Sequence, residues 1–335
     1  MTKVYYRPIP QGGLPRPEGA LPLCGGPLWF THVERLTREG AQVLPADQLP
    51  EDWQRRICRP RPAIAGLSLD VPRVMGILNV TPDSFSDGGS HDAPDAALAH
   101  ARAMIAAGAD MIDVGGESTR PGSAEVPVAE EIARTAPAIE RIAPLGVPIS
   151  IDTRKAGVAK AALAAGGQLI NDVSGFAFDP ALAPLAAALA APVCVMHMRR
   201  APEDMHIDPQ FDNALLDTYD ELAERIDAVE AAGIPRARIL ADPGIGFAKD
   251  VGHNLQILNR LSLFHGLGCA ILLGVSRKRF IGTVGQTTTP SERDPGSIAV
   301  ALAGIAQGVQ MVRVHDVAGT AQAIRLWQAV QAGRA

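Results

Sequence analysis

The sequence predicts an α/β fold in which eight parallel strands alternate with helices and close into a (β/α)8 TIM barrel. Two observations carry this prediction. From residue 73 onward, short apolar runs, often β-branched, stop at polar residues and are followed by Ala-rich helical stretches. Connections of this length are crossovers between parallel strands. Eight such units in roughly 260 residues are typical of the barrel, and an open, doubly wound sheet is the alternative.

The strand and helix candidates follow each other in regular order. The strand candidates span residues 73–79, 110–116, 147–152, 168–172, 192–198, 238–244, 269–278 and 309–316. The helix candidates include residues 95–109, 127–142, 155–165, 214–232 and 298–307. Pro184 and Pro192 interrupt the apolar stretch from Ala181 to Met196, which is interpreted as an Ala-rich helix, a break and a buried strand. That stretch is too short and too interrupted to span a bilayer.

Composition changes near residue 72. The first 72 residues hold 11 of the 27 prolines, two of the three tryptophans and two of the three tyrosines, and the chain then becomes rich in Ala, Val and Ile. We therefore divide the chain into a Pro-rich N-terminal extension, residues 1–62, and a barrel domain, residues 63–335. Apolar stretches such as 26–30 predict that the extension is ordered, and its role is open.

Charge and cysteine content narrow the classes of function. The net charge is −5 and no basic cluster is present, which argues against nucleic acid as the main partner. The four cysteines are scattered without a CxxC pair, so neither a disulfide framework nor a zinc site is indicated. The N-terminus lacks the apolar core of a signal peptide, and we expect a cytoplasmic protein without membrane association. Neither GxxxxGK[ST] nor GxGxxG occurs.

Polar residues gather where the apolar runs stop. These strand-end residues are Asn79, Asp113, Asp152, Asn171, His197, Asp242, Ser276, Lys278, Arg313 and His315. In a barrel such positions converge on one mouth. Each has a simpler explanation, since Asp152 could cap the next helix and a lone His could be structural. Burying Asp and Lys without partners costs several kcal/mol each, so the whole set favours a polar, ligand-binding mouth.

One part of this set suits a ligand edge that carries N–H and amino donors. Asp152, Asn171 and Asp242 offer acceptor oxygens, and the Asn amide also donates. Lys278 is a compact cation that suits a carbonyl or ring-nitrogen acceptor. Together these groups predict a ligand edge that carries both hydrogen-bond donors and acceptors.

A second part suits an anion. Arg120, Arg313 and His315 are cationic or hydrogen-bonding groups of the kind that bind phosphate oxygens. Asn79 can give a carbonyl oxygen to Mg²⁺, which also binds phosphate oxygens and retains several waters. The Gly- and Pro-containing loop 115–123 is interpreted either as a lid over this site or as an ordinary surface turn.

With these residues assembled, the chain resembles the dihydropteroate synthases, the folate-pathway enzymes inhibited by sulfonamides. The matching segments run in order from residue 75 to residue 317. They are MGILNVTPDSFSDGG, GADMIDVGGESTRPGS, ISIDTRK, LINDVSG, VCVMHM, ADPGIGF, LLGVSRKRFIG and VRVHDV. The resemblance covers the whole expected barrel and implies a pterin-binding TIM barrel.

The resemblance also implies an activity and a site. The implied transferase condenses 7,8-dihydropterin-6-ylmethyl diphosphate with p-aminobenzoate, using Mg²⁺, as a homodimer. The implied catalytic residues are Asp83, Phe85, Asp87, Thr119, Arg120, Pro121 and Lys278. The implied substrate-binding residues are Asp152, Asn171, Val173, Met196, Asp242, Phe247, Gly274, Lys278, Arg279, Arg313 and His315. Asn79 is the implied metal ligand.

Three departures from the family accompany this match. The long extension precedes the first barrel strand, Arg279 stands where many members have a small residue, and Ala248 replaces a common Gly at an expected small cost. Arg279 occupies a position that the family uses for the p-aminobenzoate carboxylate.

Two other functions are weighed against the synthase. A methyltetrahydrofolate:corrinoid methyltransferase shares the barrel and the pterin carboxylates, but it would not need the anion-binding set. A non-catalytic pterin-binding paralogue would be indicated by damaged loops after the first two strands, and both loops are intact here.

Overall fold

The structure is a computed structural model that describes residues 3–81, 93–118, 124–199 and 210–334. The extension is ordered, as its apolar stretches predict. Its elements are β1 (Tyr5–Pro8), β2 (Leu21–Pro22), β3 (Trp29–Phe30), β4 (His32–Leu36), β5 (Ala41–Pro45) and α1 (Glu51–Cys58). Strands β1, β4 and β5 form an antiparallel sheet in that order, and β2 pairs with β3.

Eight parallel strands follow and close into a barrel. They are β6 (Arg73–Asn79), β7 (Met111–Gly115), β8 (Ile149–Asp152), β9 (Leu169–Asp172), β10 (Val193–Met196), β11 (Ile239–Asp242), β12 (Ala270–Leu273) and β13 (Met311–Val314). Each strand pairs with its neighbour in sequence, and β13 returns to β6 through the pair Val312–Val74. All eight strand candidates and the TIM barrel are therefore confirmed, and the open sheet is excluded.

Helices connect these strands on the outside. They are α2 (Ala93–Ala107), α3 (Val128–Ile142), α4 (Ala156–Ala164), α5 (Leu182–Ala188), α6 (Ala214–Ala231), α7 (Val251–Asn259), α8 (Arg279–Val284), α9 (Asp294–Ile305) and α10 (Val317–Ala332). The helix candidates are found with shifted ends, while α7, α8 and α10 were not predicted. Helix α9 begins four residues early because Pro295 lies in its first turn, where a missing N–H leaves no hydrogen bond unmade.

The barrel interior is apolar at the amino ends of the strands. Met75, Met111, Leu240 and Met311 are buried there in one cluster. A short hairpin, in which Ile64 and Leu67 exchange backbone hydrogen bonds, covers this end. The opposite end, where the polar residues lie, is left for ligands.

The extension packs against the outside of the barrel. Tyr5 is fully buried and its hydroxyl donates to Asp220 on α6 at 2.8 Å. The hydroxyl of Ser262 donates to the carbonyl of Pro8 at 2.8 Å. Because these two hydroxyl groups find partners across the interface, the extension and the barrel form one packed body. No helix in the described part of the chain has the length and apolar character needed to cross a bilayer.

Candidate active site

A buried ionic cluster lies at the carboxyl ends of four barrel strands. The Arg313 guanidinium on β13 donates to Asp113 at 2.5 Å and to Asp152 at 2.7 Å. The Asn171 amide donates to the same Asp113 carboxylate at 3.1 Å. One Oδ atom of Asp113 is buried without a hydrogen-bond partner. The strand-end pattern thus brings these side chains together, and the cluster retains an unused acceptor.

Asp152 does not cap a helix. Helix α4 starts only after Lys155, which occupies the cap position without a side-chain hydrogen bond. The Asp152 carboxylate binds Arg313 instead. Burial raises the pKa of Asp152, and the Arg313 guanidinium opposes this shift. The capping interpretation is wrong because β8 directs this side chain into the barrel.

Asp242 and Lys278 form a second charged group, and this pair together with the ionic cluster is called the pit below. Asp242 is buried at the end of β11, and its carboxylate accepts from the backbone N–H of Gly244 at 2.7 Å. A Cβ added at Gly274 would lie 3.7 Å from the other carboxylate oxygen. Burial raises the pKa of Asp242 to about 6 and lowers the pKa of Lys278 to about 8. Both groups are charged at neutral pH, and both shifts reflect removal from water.

Apolar side chains form a wall beside these charges. Val173, Met196, Phe247 and Ala248 are buried in one cluster, against which Met198 packs. The ammonium of Lys278 lies 3.8 Å from the centre of the Phe247 ring, a cation–π contact. An apolar wall next to carboxylates and an ammonium suits a flat heteroaromatic ring with donors and acceptors at its edge.

Ala248 carries more strain than the sequence suggested. Its φ is +46°, in the left-handed region that favours glycine. An L-residue pays roughly 1–2 kcal/mol in this conformation. The expectation that Ala248 costs little is therefore wrong, because the loop after β11 needs a left-handed residue at this position.

The anion-binding set is only partly assembled. His315 lies beside Ser276, with 2.9 Å between Nδ1 and Oγ, and burial lowers the pKa of His315 to about 4. The side chains of Asn79 and Arg279 are exposed. Arg313 is not available beside His315, because its guanidinium is bound by the two buried carboxylates. The structure therefore groups Arg313 with the acidic pit rather than with the anion set.

Six expected site residues lie outside the described residues. They are Asp83, Phe85, Asp87, Thr119, Arg120 and Pro121. The segments that contain them follow β6 and β7. These strands are neighbours, and Asn79 pairs with Gly115 where they end. Both segments therefore depart from adjacent points on the rim of the pit.

Sequence reasoning missed the group that anchors the second of these segments. Glu117 receives hydrogen bonds from Arg154 at 3.0 Å and from Lys155 at 2.8 Å. Lys155 also donates to Glu131 on α3 at 2.8 Å. These ion pairs are almost fully buried, so they fix the chain where it leaves β7. The ISIDTRK motif contains the two cations, but nothing in their spacing indicates their partners.

A second network lies behind the loop that follows β11. His197, expected among the mouth residues, turns away from the pit. Its Nε2 lies 3.0 Å from Glu221 and its Nδ1 lies 2.8 Å from the ammonium nitrogen of Lys249. Lys249 also donates to the backbone carbonyls of Gly244 and Phe247 at 3.0 and 3.2 Å. Neither Lys249 nor Glu221 was singled out from the sequence. Glu221 lies on α6 and Lys249 in the loop after β11, so no local sequence pattern connects them with His197.

Fold and site together define a barrel enzyme whose pit is built for a flat, polar ring. Comparison with known proteins narrows this class. The model of a family described as pterin binding enzyme matches residues 75–315, which is more than half of the chain. The chain therefore belongs to the pterin-binding enzymes, and among them to the dihydropteroate synthases, as the following relatives show.

Curated relatives carry this assignment. The dihydropteroate synthase of Escherichia coli is 46% identical over 267 residues, which are 79% of this chain and 94% of that protein. A probable bifunctional folylpolyglutamate synthase/dihydropteroate synthase of Haloferax volcanii is 48% identical over 262 residues. The match spans 77% of this chain but only 30% of that longer protein.

A solved structure agrees. The dihydropteroate synthase of Xanthomonas albilineans with 4-aminobenzoic acid is 46% identical, with a TM-score of 0.76. The match covers 98% of that chain and 82% of this one. The unmatched share of this chain is about the size of the N-terminal extension.

Proposed function

We propose that this chain joins 7,8-dihydropterin-6-ylmethyl diphosphate to p-aminobenzoate, releasing 7,8-dihydropteroate and diphosphate, in tetrahydrofolate biosynthesis. The observation that carries the proposal is the pit, where the buried side chains of Asp152, Asn171 and Asp242 lie at the carboxyl ends of the strands. There Lys278 contacts the apolar wall at Phe247. The Xanthomonas albilineans enzyme has been solved with 4-aminobenzoic acid and with 7,8-dihydropteroate. These ligands are the amine substrate and the product of the proposed reaction.

The pit residues bind the pterin ring in this proposal. Asp242 and Asn171 accept from the amino group and the ring N–H, and Asp152 completes this acceptor edge. Lys278 donates to the carbonyl side while Phe247, Met196 and Val173 pack near the ring. Gly274 has no side chain, which leaves room for the ring beside Asp242. The Asp242 carboxylate and the Lys278 ammonium are already in place, so this part of the pit needs no reorganisation when the ring enters.

Bond breaking is the demanding step. The C–O bond between the pterin methylene and the diphosphate breaks, and the diphosphate takes the electron pair. Positive charge then develops on the methylene carbon and spreads into the ring, where the carboxylates of the pit stabilise it. The neutral aryl amine forms the new C–N bond and loses a proton. A strong general base is not required, because this amine is already nucleophilic at neutral pH.

Magnesium is the proposed metal, carried by the diphosphate. The described residues contain no group of three or more His, Cys, Asp or Glu that could hold a metal ion alone. Asn79 offers an exposed carboxamide at the end of β6, and one protein oxygen with phosphate oxygens and waters satisfies Mg²⁺. Mg²⁺ bound there would neutralise charge on the leaving diphosphate. His315 and Arg313 are proposed to bind the same anion, which requires Arg313 to exchange partners on substrate binding.

The segments after β6 and β7 are proposed to cover the substrates. Their candidate residues are Asp83, Phe85, Asp87, Thr119, Arg120 and Pro121. Arg279 starts α8 with an exposed side chain, and we assign it to the p-aminobenzoate carboxylate. An exposed guanidinium at this point can reach a carboxylate held at the mouth.

The compartment and the assembly also belong to this proposal. We expect the chain to act in the cytoplasm as a homodimer, as the resemblance implies. Light scattering on the purified full-length chain would measure the mass, and a monomer at micromolar concentration would contradict the dimer.

A turnover assay tests the function. The full-length chain receives dihydropterin diphosphate, p-aminobenzoate and Mg²⁺, and dihydropteroate is quantified with and without a sulfonamide. We expect product and competition by the sulfonamide against p-aminobenzoate. A folded, pterin-binding chain that makes no product would favour a non-catalytic paralogue. Methyl transfer from methyltetrahydrofolate to a corrinoid would favour the methyltransferase alternative.

A further inference from the structure

The N-terminal extension reaches the active-site end of α6. The hairpin that joins β4 to β5 carries Arg38, whose two terminal nitrogens contact α6. One donates to Asp217 at 2.7 Å and the other to Asp220 at 3.2 Å. Asp217 lies in the first turn of α6, and the other Asp217 oxygen accepts from the backbone N–H groups of Asp212 and Asn213. The extension therefore contacts the point where the connection from β10 enters α6.

Asp217 also contacts the segment that follows β10. Its second carboxylate oxygen lies 3.3 Å from the guanidinium of Arg199, which follows β10 by three residues. Arg199 also donates to both oxygens of Glu221, one turn further along α6, at 2.9 and 3.0 Å from Nε. Asp217 is buried and Arg199 is three-quarters buried, so solvent screens these pairs only partly.

From Glu221 the network reaches the pterin site through His197 and Lys249. Burial lowers the pKa of His197 to about 4, so the ring is neutral. Its Nε2–H donates to Glu221, and its Nδ1 accepts from the Lys249 ammonium at 2.8 Å. Lys249 is 8% exposed, and its other N–H groups donate to the backbone carbonyls of Gly244 and Phe247. These two residues flank the turn that sets Asp242 and the Phe247 ring.

The contacts form one chain of charged and hydrogen-bonded groups from the extension to the site. We propose that the N-terminal extension positions the pterin-binding loop, residues 242–249, through Arg38, Asp217, Arg199, Glu221, His197 and Lys249. In this role Lys249 is a positioning residue, because it holds the backbone of the loop rather than the substrate. The inference rests on the proposed use of Asp242 and Phe247 for pterin binding.

Pterin affinity should fall by different amounts when the two ends of this chain of contacts are altered. Lys249→Met removes the ammonium but retains most of the apolar stem, and it should weaken dihydropterin binding by about tenfold or more. Arg38→Ala acts at the exposed outer end, so it should weaken binding by about twofold to fivefold. Arg38→Lys should restore part of that loss, because one ammonium can still reach Asp217. Equilibrium dissociation constants for the dihydropterin substrate, with kcat measured in parallel, give the readout.

Coupling between the two ends is the decisive measurement. If the chain of contacts transmits the effect, Arg38→Ala should change pterin affinity by less than about 1.5-fold once Lys249→Met is present. A full, independent effect of Arg38→Ala in that background would overturn the inference. So would wild-type affinity in both single variants.

Arg7→Ala is the matched control. Arg7 is another extension arginine at the barrel interface, where it pairs with Glu34 at 2.6 Å. Glu34 also pairs with Arg260, which lies at the carboxyl end of α7 and outside the proposed path. Arg7→Ala should leave pterin affinity unchanged. An equal loss of affinity in Arg7→Ala and Arg38→Ala would show a general effect of the extension and would overturn the specific path through Arg38. Thermal unfolding of each variant accounts for any unfolded fraction, which would lower kcat without changing the dissociation constant.

Failure of this inference differs from failure of the proposed function. Asp242→Asn should lose pterin binding whatever the extension does. If that variant binds normally, the pterin site itself is misassigned. If it fails to bind while the Arg38 and Lys249 variants bind normally, only the role of the extension is overturned.

Discussion

At the scale of single residues, replacing Asp242 gives the most direct test of pterin binding in the pit. Its carboxylate is buried and receives one backbone hydrogen bond, which leaves further acceptor capacity for a ligand. Asp242→Ala should weaken pterin binding by roughly 2–5 kcal/mol, because ligand donors would be left buried without a partner. Titration calorimetry with a dihydropterin measures this loss. Near-wild-type affinity would remove Asp242 from the site.

Asp242 and Lys278 also predict a pH dependence. The pKa of Asp242 is raised to about 6, so its charge is lost below that pH, and the pKa of Lys278 is lowered to about 8, so its charge is lost above that pH. The value of kcat/KM for the dihydropterin substrate should fall toward acid pH as the buried carboxylates of Asp152 and Asp242 take up protons, and toward alkaline pH as Lys278 loses one. Lys278→Arg keeps the charge at high pH and should move the alkaline limb upward. An alkaline limb that does not move would assign it to another group.

The sequence identified the charged residues of the pit better than their pairing. Each strand-end residue stood out because an apolar run stopped there. Arg313 was grouped with the anion-binding residues, but it lies between Asp113 and Asp152, which are 200 and 161 positions away in the chain. Sequence pattern reports local burial, and it contains no information on which distant carboxylate an arginine meets.

At the scale of elements, the loop after β11 depends on a glycine. Gly244 has a φ of +66°, and a Cβ there would lie 2.0 Å from the carbonyl oxygen of His197. Gly244→Ala should therefore lower the free energy of unfolding by about 3 kcal/mol and displace Asp242, because the backbone has no room to keep this turn. Urea unfolding and pterin affinity measure the two effects.

Gly40→Ala provides the comparison for that variant. A Cβ at Gly40 meets no atom within 4 Å. Its effect on the free energy of unfolding should stay within about 0.5 kcal/mol. Similar losses in both variants would mean that the close approach to His197 does not limit the loop.

The elements themselves were predictable to different degrees. All eight strands were found, because each is a short apolar run that is buried on both faces. Helices α7, α8 and α10 were missed. Helix α8 has only six residues and directly follows a strand candidate that was drawn too long, to residue 278. Periodicity is weak over so few residues, so neighbouring strand signals dominate.

At the scale of the whole molecule, the extension and the barrel should unfold together. Tyr5 is fully buried and its ring meets Tyr219 of α6 edge-on at 5.5 Å. Tyr5→Ala should lower the free energy of unfolding by roughly 3–5 kcal/mol, because it leaves a cavity between the two parts. Tyr5→Phe removes only the hydrogen bond to Asp220 and should cost about 1 kcal/mol. Denaturant unfolding followed by far-UV circular dichroism and by tryptophan fluorescence measures both variants.

The form of the transition matters as much as its midpoint. Tryptophan fluorescence reports the extension and its contact with the barrel, because Trp29 and Trp53 lie in the extension and Trp327 of α10 packs against its apolar cluster. Circular dichroism reports the helices, most of which surround the barrel. Both probes should show the same transition in the wild-type chain, because the two parts pack together. Separate transitions would show that the extension unfolds independently. The division of the chain at residue 62 into an extension and a domain stays a prediction.

The sequence by itself determined the barrel, the end of the barrel that carries the chemistry, and the family. Apolar runs and their polar ends are local features, so they can be identified from neighbouring residues without knowledge of the tertiary structure. Tertiary structure alone decided that Arg313 binds two pit carboxylates, that His197 turns outward to Glu221 and Lys249, and that Arg38 of the extension meets α6. These pairings depend on distances between atoms that only chain closure brings together, so no local pattern could encode them.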